Sequence, residues 1–188
     1  LPNAHINIDL ADNLKLRLSA STGVNRPTYN EWRASAAVDV IEEEISGGNP
    51  TLEAETSYGF DASIEYYLDN GSLFSAAAFM RNIDNVIYAD DSTIDAGAFI
   101  DEYAGEQWTY TGFLNGSDGK FSGVELNTVF FADDLIEGVG ISANVTFTDS
   151  EFKQANGETV GLPGSSDLIY NAAIFYEDYG ISARLNYS

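Results

Sequence analysis

The sequence predicts an all-β protein, built as an antiparallel up-and-down meander of about eight strands. Three observations lead to this prediction. Apolar and polar residues alternate within segments of about ten residues, no segment has a convincing helical period, and short connections alternate with long ones. Because successive side chains of a strand point to opposite faces, this alternation predicts a sheet with one apolar and one polar face.

The alternation is clear in five segments and less regular in three others. The clear segments are 14–21, 57–68, 123–130, 139–148 and 181–187, and the others are 4–10, 73–83 and 168–177. Within 73–83 we assign Ser75 and Arg81 to the polar face, which places Phe74 and Met80 on the apolar one. The one candidate helix, at 29–45, is a poor one because it contains Val and Ile.

The connections between these segments are of two kinds. Four are tight and contain Asn, Asp or Gly, at 11–13, 69–72, 132–137 and 178–180, whereas three are long, at 23–56, 84–119 and 150–167. The two kinds alternate strictly, so a meander has every short turn at one end and every long loop at the other. Transmembrane barrels have this asymmetry, with short periplasmic turns and long extracellular loops.

Alternation alone leaves open whether the apolar face lies outside, against lipid, or inside, as in a soluble barrel or sandwich. Four of these segments have 10 to 12 residues, a length that suits a tilted crossing of a bilayer better than the usual soluble sheet. Aromatic residues also lie beside the short turns, where an interfacial girdle is expected: Tyr66, Tyr67, Phe130, Phe131, Tyr176 and Tyr179. These observations favour a membrane barrel. The alternative is a soluble secreted acidic β-sandwich or barrel that binds or hydrolyses carbohydrate.

The direction of the strands predicts an internal part of a larger barrel. If the short turns are periplasmic, both ends of the chain lie on the extracellular side. A complete eight-stranded outer-membrane barrel would have them in the periplasm.

Several motifs resemble those of TonB-dependent outer-membrane receptors. In chain order they are 1–8 (LPNAHINI), 14–21 (LKLRLSAS), 26–27 (RP), 48–56 (GNPTLEAET), 65–67 (EYY), 83–85 (IDN) and 123–126 (GVEL). Each motif is short, but the ordered set covers nearly the whole chain. The resemblance implies that residues 1–188 form part of a barrel of about 22 strands, with the plug domain, the TonB box and the remaining strands outside this sequence.

The same resemblance implies a function. It implies a receptor of the bacterial outer membrane for TonB-dependent uptake of a nutrient, and not an enzyme. Its expected partners are outer-membrane lipid, the TonB complex through the plug domain, and a small-molecule or oligosaccharide ligand. No cofactor is expected.

The charge of the chain narrows the class of ligand. With 8 basic and 30 acidic residues, the chain has too few cations to neutralise the phosphates of a nucleic acid. Eighteen of the acidic residues lie in the three long loops, and the loop 84–119 has eight of them without a Lys or Arg. Such loops favour a neutral oligosaccharide over an anionic ferric siderophore. A Ca²⁺ site is the less favoured reading of these acids, because Asp90, Asp91 and Asp95 lack the glycine spacing of an EF-hand.

Two groups of side chains are candidates for function. Aromatic residues of the long loops can stack on a ligand or pack the loops together, and packing is slightly favoured: Trp32, Tyr88, Tyr103, Trp108 and Tyr110. Charged residues of the polar face are expected to line the lumen of the barrel: Arg17, Asp61, Glu65, Arg81, Glu125 and Arg184. Asp61 and Glu65 share a face like the two acids of a glycosidase, but chance explains this in so acidic a chain. The absence of Cys and the single histidine, His5, exclude Cys-based sites and clusters of His ligands.

Overall fold

A computed structural model describes residues 1–188 and is dominated by β-strands. The strands, in chain order, are β1 (Asn3–Ala11), β2 (Leu14–Asn25), β3 (Ala36–Asp39), β4 (Glu44–Gly47), β5 (Glu55–Tyr67), β6 (Leu73–Asp84), β7 (Ile87–Asp95), β8 (Gln107–Asn115), β9 (Gly119–Phe131), β10 (Val139–Lys153), β11 (Thr159–Val160), β12 (Leu168–Asp178) and β13 (Ile181–Tyr187).

Eight of these strands form one antiparallel meander, which we call the main sheet. Its order is β1-β2-β5-β6-β9-β10-β12-β13, and the short β11 pairs with the C-terminal end of β10. All eight predicted segments are strands of this sheet, so the prediction of the fold class is confirmed. The strands β1 and β13 are its two edges, each paired on one side only.

The short turns of the main sheet all lie at one end, as predicted. The turn between β5 and β6 illustrates how the sequence builds them. The side chain of Asn70 accepts a hydrogen bond from the backbone N–H of Ser72 at 3.0 Å, and the Ser72 hydroxyl accepts one from the N–H of Phe131 at 2.9 Å. Gly71 supplies the left-handed conformation of the turn, with φ of 85°. The bond from Phe131 ties the turn to β9, the neighbour of β6 in the main sheet.

The two faces of the main sheet differ in composition and in exposure. On one, the apolar face, large side chains of several strands lie open to the surroundings, with 53% of Phe60, 52% of Phe147 and 50% of Ile174 exposed. On the other, the polar face, side chains contact one another, and only 17% of the Glu65 side chain is exposed. A protein in water has the opposite arrangement, because burial of apolar surface stabilises it.

The first two long connections, predicted as long loops, contain regular structure. They contain β3, β4, β7 and β8, which form a second sheet in the order β3-β4-β8-β7, called here the loop sheet. Its two halves join through a parallel pairing of β4 with β8, in which Glu44 lies opposite Thr109. Its core consists of Ile45, Ala96 and Trp108, with Ile94, Tyr103 and Tyr110 packed around them.

The candidate helix at 29–45 is confined to four residues, α1 (Tyr29–Trp32). Thr28 begins it with a capping box, since its hydroxyl accepts from the N–H of Glu31 while the Glu31 carboxylate accepts from the N–H of Thr28. The rest of the segment forms a turn and the strands β3 and β4, as its β-branched residues favour. No helix of the structure is long and apolar enough to cross a membrane.

The third long connection packs against the second. Val86 and Tyr88 form a cluster with Phe152 of β10, and Val160 and Leu162 lie against it. The three long connections therefore form one packed unit above the main sheet, at the end opposite the short turns.

Candidate functional site

The polar face of the main sheet is organised around an ion pair between Arg17 and Glu65. The guanidinium of Arg17 donates to both oxygens of Glu65, at 2.7 and 3.1 Å, and the Tyr67 hydroxyl donates to the same carboxylate at 2.6 Å. A bidentate pair of this kind fixes the direction of both side chains. A third contact, from Arg17 to the amide oxygen of Asn7 at 3.2 Å, extends the network to β1.

A ladder of asparagines continues the polar face across three neighbouring strands. Asn171 donates to the amide oxygen of Asn144 at 3.1 Å, and Asn144 donates to that of Asn127 at 3.1 Å. Asn127 in turn donates to Glu125 at 2.8 Å. An amide can donate and accept at once, so each asparagine can bond to a neighbour on either side, and the row ends on the Glu125 carboxylate. This ladder was not predicted, although the sequence has an asparagine at a polar position in each of the three strand segments.

The six charged residues expected to line a lumen all lie on the polar face, spread over five strands. Asp61 accepts a hydrogen bond from the Ser19 hydroxyl at 2.8 Å. Arg81 covers Gly59, where an added Cβ would lie 2.8 Å from its Nε atom, and the guanidinium of Arg184 lies 5.2 Å from the ring centroid of Phe175. A depression of about 470 Å³ brings three of the six together: Arg17, Asp61 and Glu125.

The aromatic residues proposed as ligand contacts have different positions. Trp108 is buried in the core of the loop sheet, with the ring of Tyr103 at 4.8 Å, and Tyr110 stacks on Phe99 at 6.3 Å. Tyr88 is buried beside Phe152. Only Trp32 has a largely open side chain, with 54% of it exposed. The arrangement supports the packing alternative for Tyr88 and Trp108, whose rings offer no free surface to a ligand.

The acidic residues of the second loop do not converge. Asp95 accepts hydrogen bonds from the N–H groups of Gly105 and Gly97, both at 2.9 Å, and Asp91 accepts one from Thr111 at 2.7 Å. The bond from Gly105 and then that from Gly97 hold the pKa of Asp95 below its usual range, because they stabilise the carboxylate. No group of three or more acidic or histidine side chains is placed to hold a metal ion.

An open polar depression of about 590 Å³ lies where the three long connections meet, and we call it the three-loop pocket. Side-chain amides, hydroxyls and one charged residue of each sign line it, and Ala155 is its single apolar residue. Its lining residues are Thr51, Glu53, Asn85, Asn115, Gly116, Ser117, Lys153, Gln154, Ala155, Asn156 and Gly157. This pocket could not be predicted from the sequence, because its residues come from three segments that are distant along the chain.

Comparison with known proteins identifies the family. A family model described as TonB-dependent receptor-like β-barrel matches residues 1–188. The chain belongs to the TonB-dependent receptors. The family predicted from the sequence motifs is therefore confirmed, and the main sheet is part of a receptor β-barrel. A search of curated proteins finds no match.

Solved structures of TonB-dependent receptors share the fold. The siderophore receptor PirA from Pseudomonas aeruginosa is 17% identical with a TM-score of 0.71, over 98% of this chain and 32% of its own. A variant of the ferric enterobactin receptor PfeA from the same organism is 18% identical with a TM-score of 0.69, over 98% of this chain and 26% of its own. A double mutant of the Serratia marcescens hemophore receptor HasR, in complex with its hemophore HasA and heme, is 13% identical with a TM-score of 0.65, over 98% of this chain and 31% of its own. The chain thus spans about a third or less of the receptors that it matches.

Proposed function

We propose that this chain is part of a bacterial outer-membrane receptor that takes up a nutrient by TonB-dependent transport. The observation that carries the proposal is the exposed apolar face of the main sheet. Membership of the receptor family supports it, and lipid is the partner that such a face requires.

The limits of the apolar face support a position across a bilayer. In β9, the apolar run extends from Val124 to Phe130, and Lys120 lies beyond it on the side of the long loops. The Lys120 ammonium lies 3.5 Å from the carboxylate of Glu151 in β10. In β5, aromatic side chains lie at both ends of the run, with Tyr58 on the loop side and Tyr66 on the turn side. An apolar band about 25 Å high with an aromatic girdle at each border is characteristic of outer-membrane barrels.

The polar face then lines the lumen. In this orientation Arg17, Glu65 and the asparagine ladder are part of the barrel's inner wall, together with Asp61, Arg81, Glu125 and Arg184. The plug domain of the receptor, lying outside this chain, contacts the wall and the TonB complex. We infer that the ion pair and the ladder stiffen the wall.

We propose a neutral, hydroxyl-rich ligand such as an oligosaccharide over an anionic ferric siderophore. The similar solved structures are named as receptors for a siderophore, for ferric enterobactin and for a hemophore with heme, and these ligands belong to those receptors. For this chain, a net charge of −22 with eight acidic residues in one loop repels anions. Among the aromatic candidates, Trp32 is the one with an open surface for stacking.

Uptake by cells tests this proposal. We expect the intact receptor to fractionate with the outer membrane, to require detergent for extraction and to show heat-modifiable migration in gels. Growth on its nutrient should depend on both the receptor and TonB. If the intact protein is monomeric and folded in plain buffer, or if uptake persists without TonB, the proposal is wrong.

A further inference from the structure

The three-loop pocket is fixed by contacts that join the loops to one another. The side chain of Asn115 accepts from the backbone N–H of Glu53 at 2.8 Å, and it donates to the carbonyl groups of Glu53 and Asn85 at 3.1 and 2.8 Å. The Asn85 amide donates to the Glu53 carboxylate at 3.1 Å. Asn115 thus joins the first loop to the second, and its side-chain amide is occupied by these hydrogen bonds.

The third loop is held just as firmly on the other side of the pocket. The backbone carbonyl of Lys153 accepts from the N–H of Ser117 at 2.8 Å, which joins the third loop to the second. The N–H of Gln154 donates to the carbonyl of Glu158 at 2.8 Å, and the Asn156 side chain accepts from the N–H of Glu158 at 2.8 Å. These bonds close the hairpin turn that bears the lining residues 153–157.

Several polar groups remain available inside this frame. Lys153 is exposed and takes part in none of the three ion pairs of the chain, which are Lys15–Asp9, Arg17–Glu65 and Lys120–Glu151. The Ser117 hydroxyl is exposed as well, and one oxygen of Glu53 lies outside the bond with Asn85. The lining therefore presents an ammonium group, a carboxylate oxygen, amides and a hydroxyl.

These groups select a class of ligand. Ligand pockets are typically about 300–1,000 Å³ in volume and mostly apolar, so a pocket of about 590 Å³ with one apolar residue suits a hydrophilic molecule. Its two opposite charges, Glu53 and Lys153, balance each other, and the acidic protein around them disfavours an anion. A sugar hydroxyl both donates and accepts hydrogen bonds, which matches a lining that contains donors and acceptors side by side.

We propose that the three-loop pocket binds a neutral sugar unit of the transported ligand, an inference that rests on the proposed function. Lys153, Ser117 and the free oxygen of Glu53 bind its hydroxyl groups. The clamp of Asn115 keeps the pocket open and ordered before the ligand arrives, so that little conformational entropy is lost on binding.

The test uses the full-length receptor in detergent, a panel of neutral oligosaccharides (maltohexaose, xylohexaose and chitohexaose) and two anionic probes, hexagalacturonic acid and ferric enterobactin. Ala155→Trp fills the pocket, and the backbone bond of Ala155 to Tyr88 is retained. Ala34→Trp is the matched control, since Ala34 is exposed in the first loop and does not line the pocket. Isothermal titration calorimetry measures each dissociation constant.

We expect one neutral oligosaccharide to bind, with affinity lowered at least about tenfold by Ala155→Trp and less than about twofold by Ala34→Trp. Lys153→Ala should weaken binding more than Lys153→Gln, which retains a hydrogen-bond donor. The proposal is overturned if no neutral oligosaccharide binds, if Ala155→Trp leaves binding unchanged, or if an anionic probe binds and Lys153→Gln abolishes it. If a different ligand is taken up in a TonB-dependent way and Ala155→Trp has no effect on its uptake, the pocket is not the binding site, whereas the proposal of TonB-dependent uptake still holds.

Discussion

The main sheet and the loop sheet belong to one chain, yet they stabilise themselves in opposite ways. The main sheet exposes its apolar side chains and joins its polar ones, through the pair of Arg17 with Glu65 and the row of asparagines. The loop sheet has an aromatic core around Trp108, as a small soluble domain has. This difference is what we expect if, as proposed above, lipid lies beside the main sheet and water surrounds the loop sheet.

The loop sheet should lose the most from a single substitution. Trp108→Ala removes the largest buried side chain of its core, and we expect a cost of about 3–5 kcal/mol in the local stability of the loop sheet. Hydrogen–deuterium exchange in the intact receptor measures this loss as faster exchange in β4, β7 and β8. The main sheet should keep its exchange rates and its heat-modifiable migration. Equal loss of protection in both sheets would contradict the separation of the two regions.

The apolar face should respond to a charge in a way that depends on lipid. Leu126 lies in the middle of the apolar run of β9, and Leu126→Arg should destabilise the receptor in vesicles by about 2–4 kcal/mol, the cost of Arg near the bilayer midplane. Urea unfolding in lipid vesicles measures the change. Leu135→Arg is the control, because Leu135 is 83% exposed in a short turn outside the apolar run. A similar small effect at both positions would mean that Leu126 does not face lipid.

The smallest expected effect is a pH dependence confined to the loop sheet. Two backbone N–H groups lower the pKa of Asp95 below its ordinary value of 3.8, so the carboxylate stabilises the turn at 96–105 fully above about pH 4. This contribution is lost as the pH falls through the lowered pKa of the folded state. Hydrogen exchange at Gly97 and Gly105, compared with Asp95→Asn, measures it. The wild-type turn should lose protection on acidification and the variant should not; identical pH profiles would contradict the prediction.

The sequence predicts the main sheet better than the loop sheet, because the first depends on local patterns and the second on contacts between distant residues. The strands of the main sheet were predictable because alternation is local, and the parity of Ser75 and Arg81 assigned their face correctly. The loop sheet was not predictable, since β3 and β4 have four residues each and β4 pairs with β8, more than 60 residues away along the chain. The burial of Trp108 and Tyr88 was not predictable for the same reason. Nor was the three-loop pocket, which brings together Glu53, Asn115 and Lys153 from three distant segments.

The central claim, that the apolar face meets lipid and the polar face does not, can be tested with neighbouring residues of β9. This sequence contains no cysteine, so Glu125→Cys and Leu126→Cys can each be labelled with a bimane fluorophore in a full-length receptor freed of other reactive cysteines and reconstituted in vesicles. Lipids brominated on their acyl chains should quench the label at 126 strongly and that at 125 weakly. Equal quenching at both positions, or stronger quenching at 125, would contradict the account.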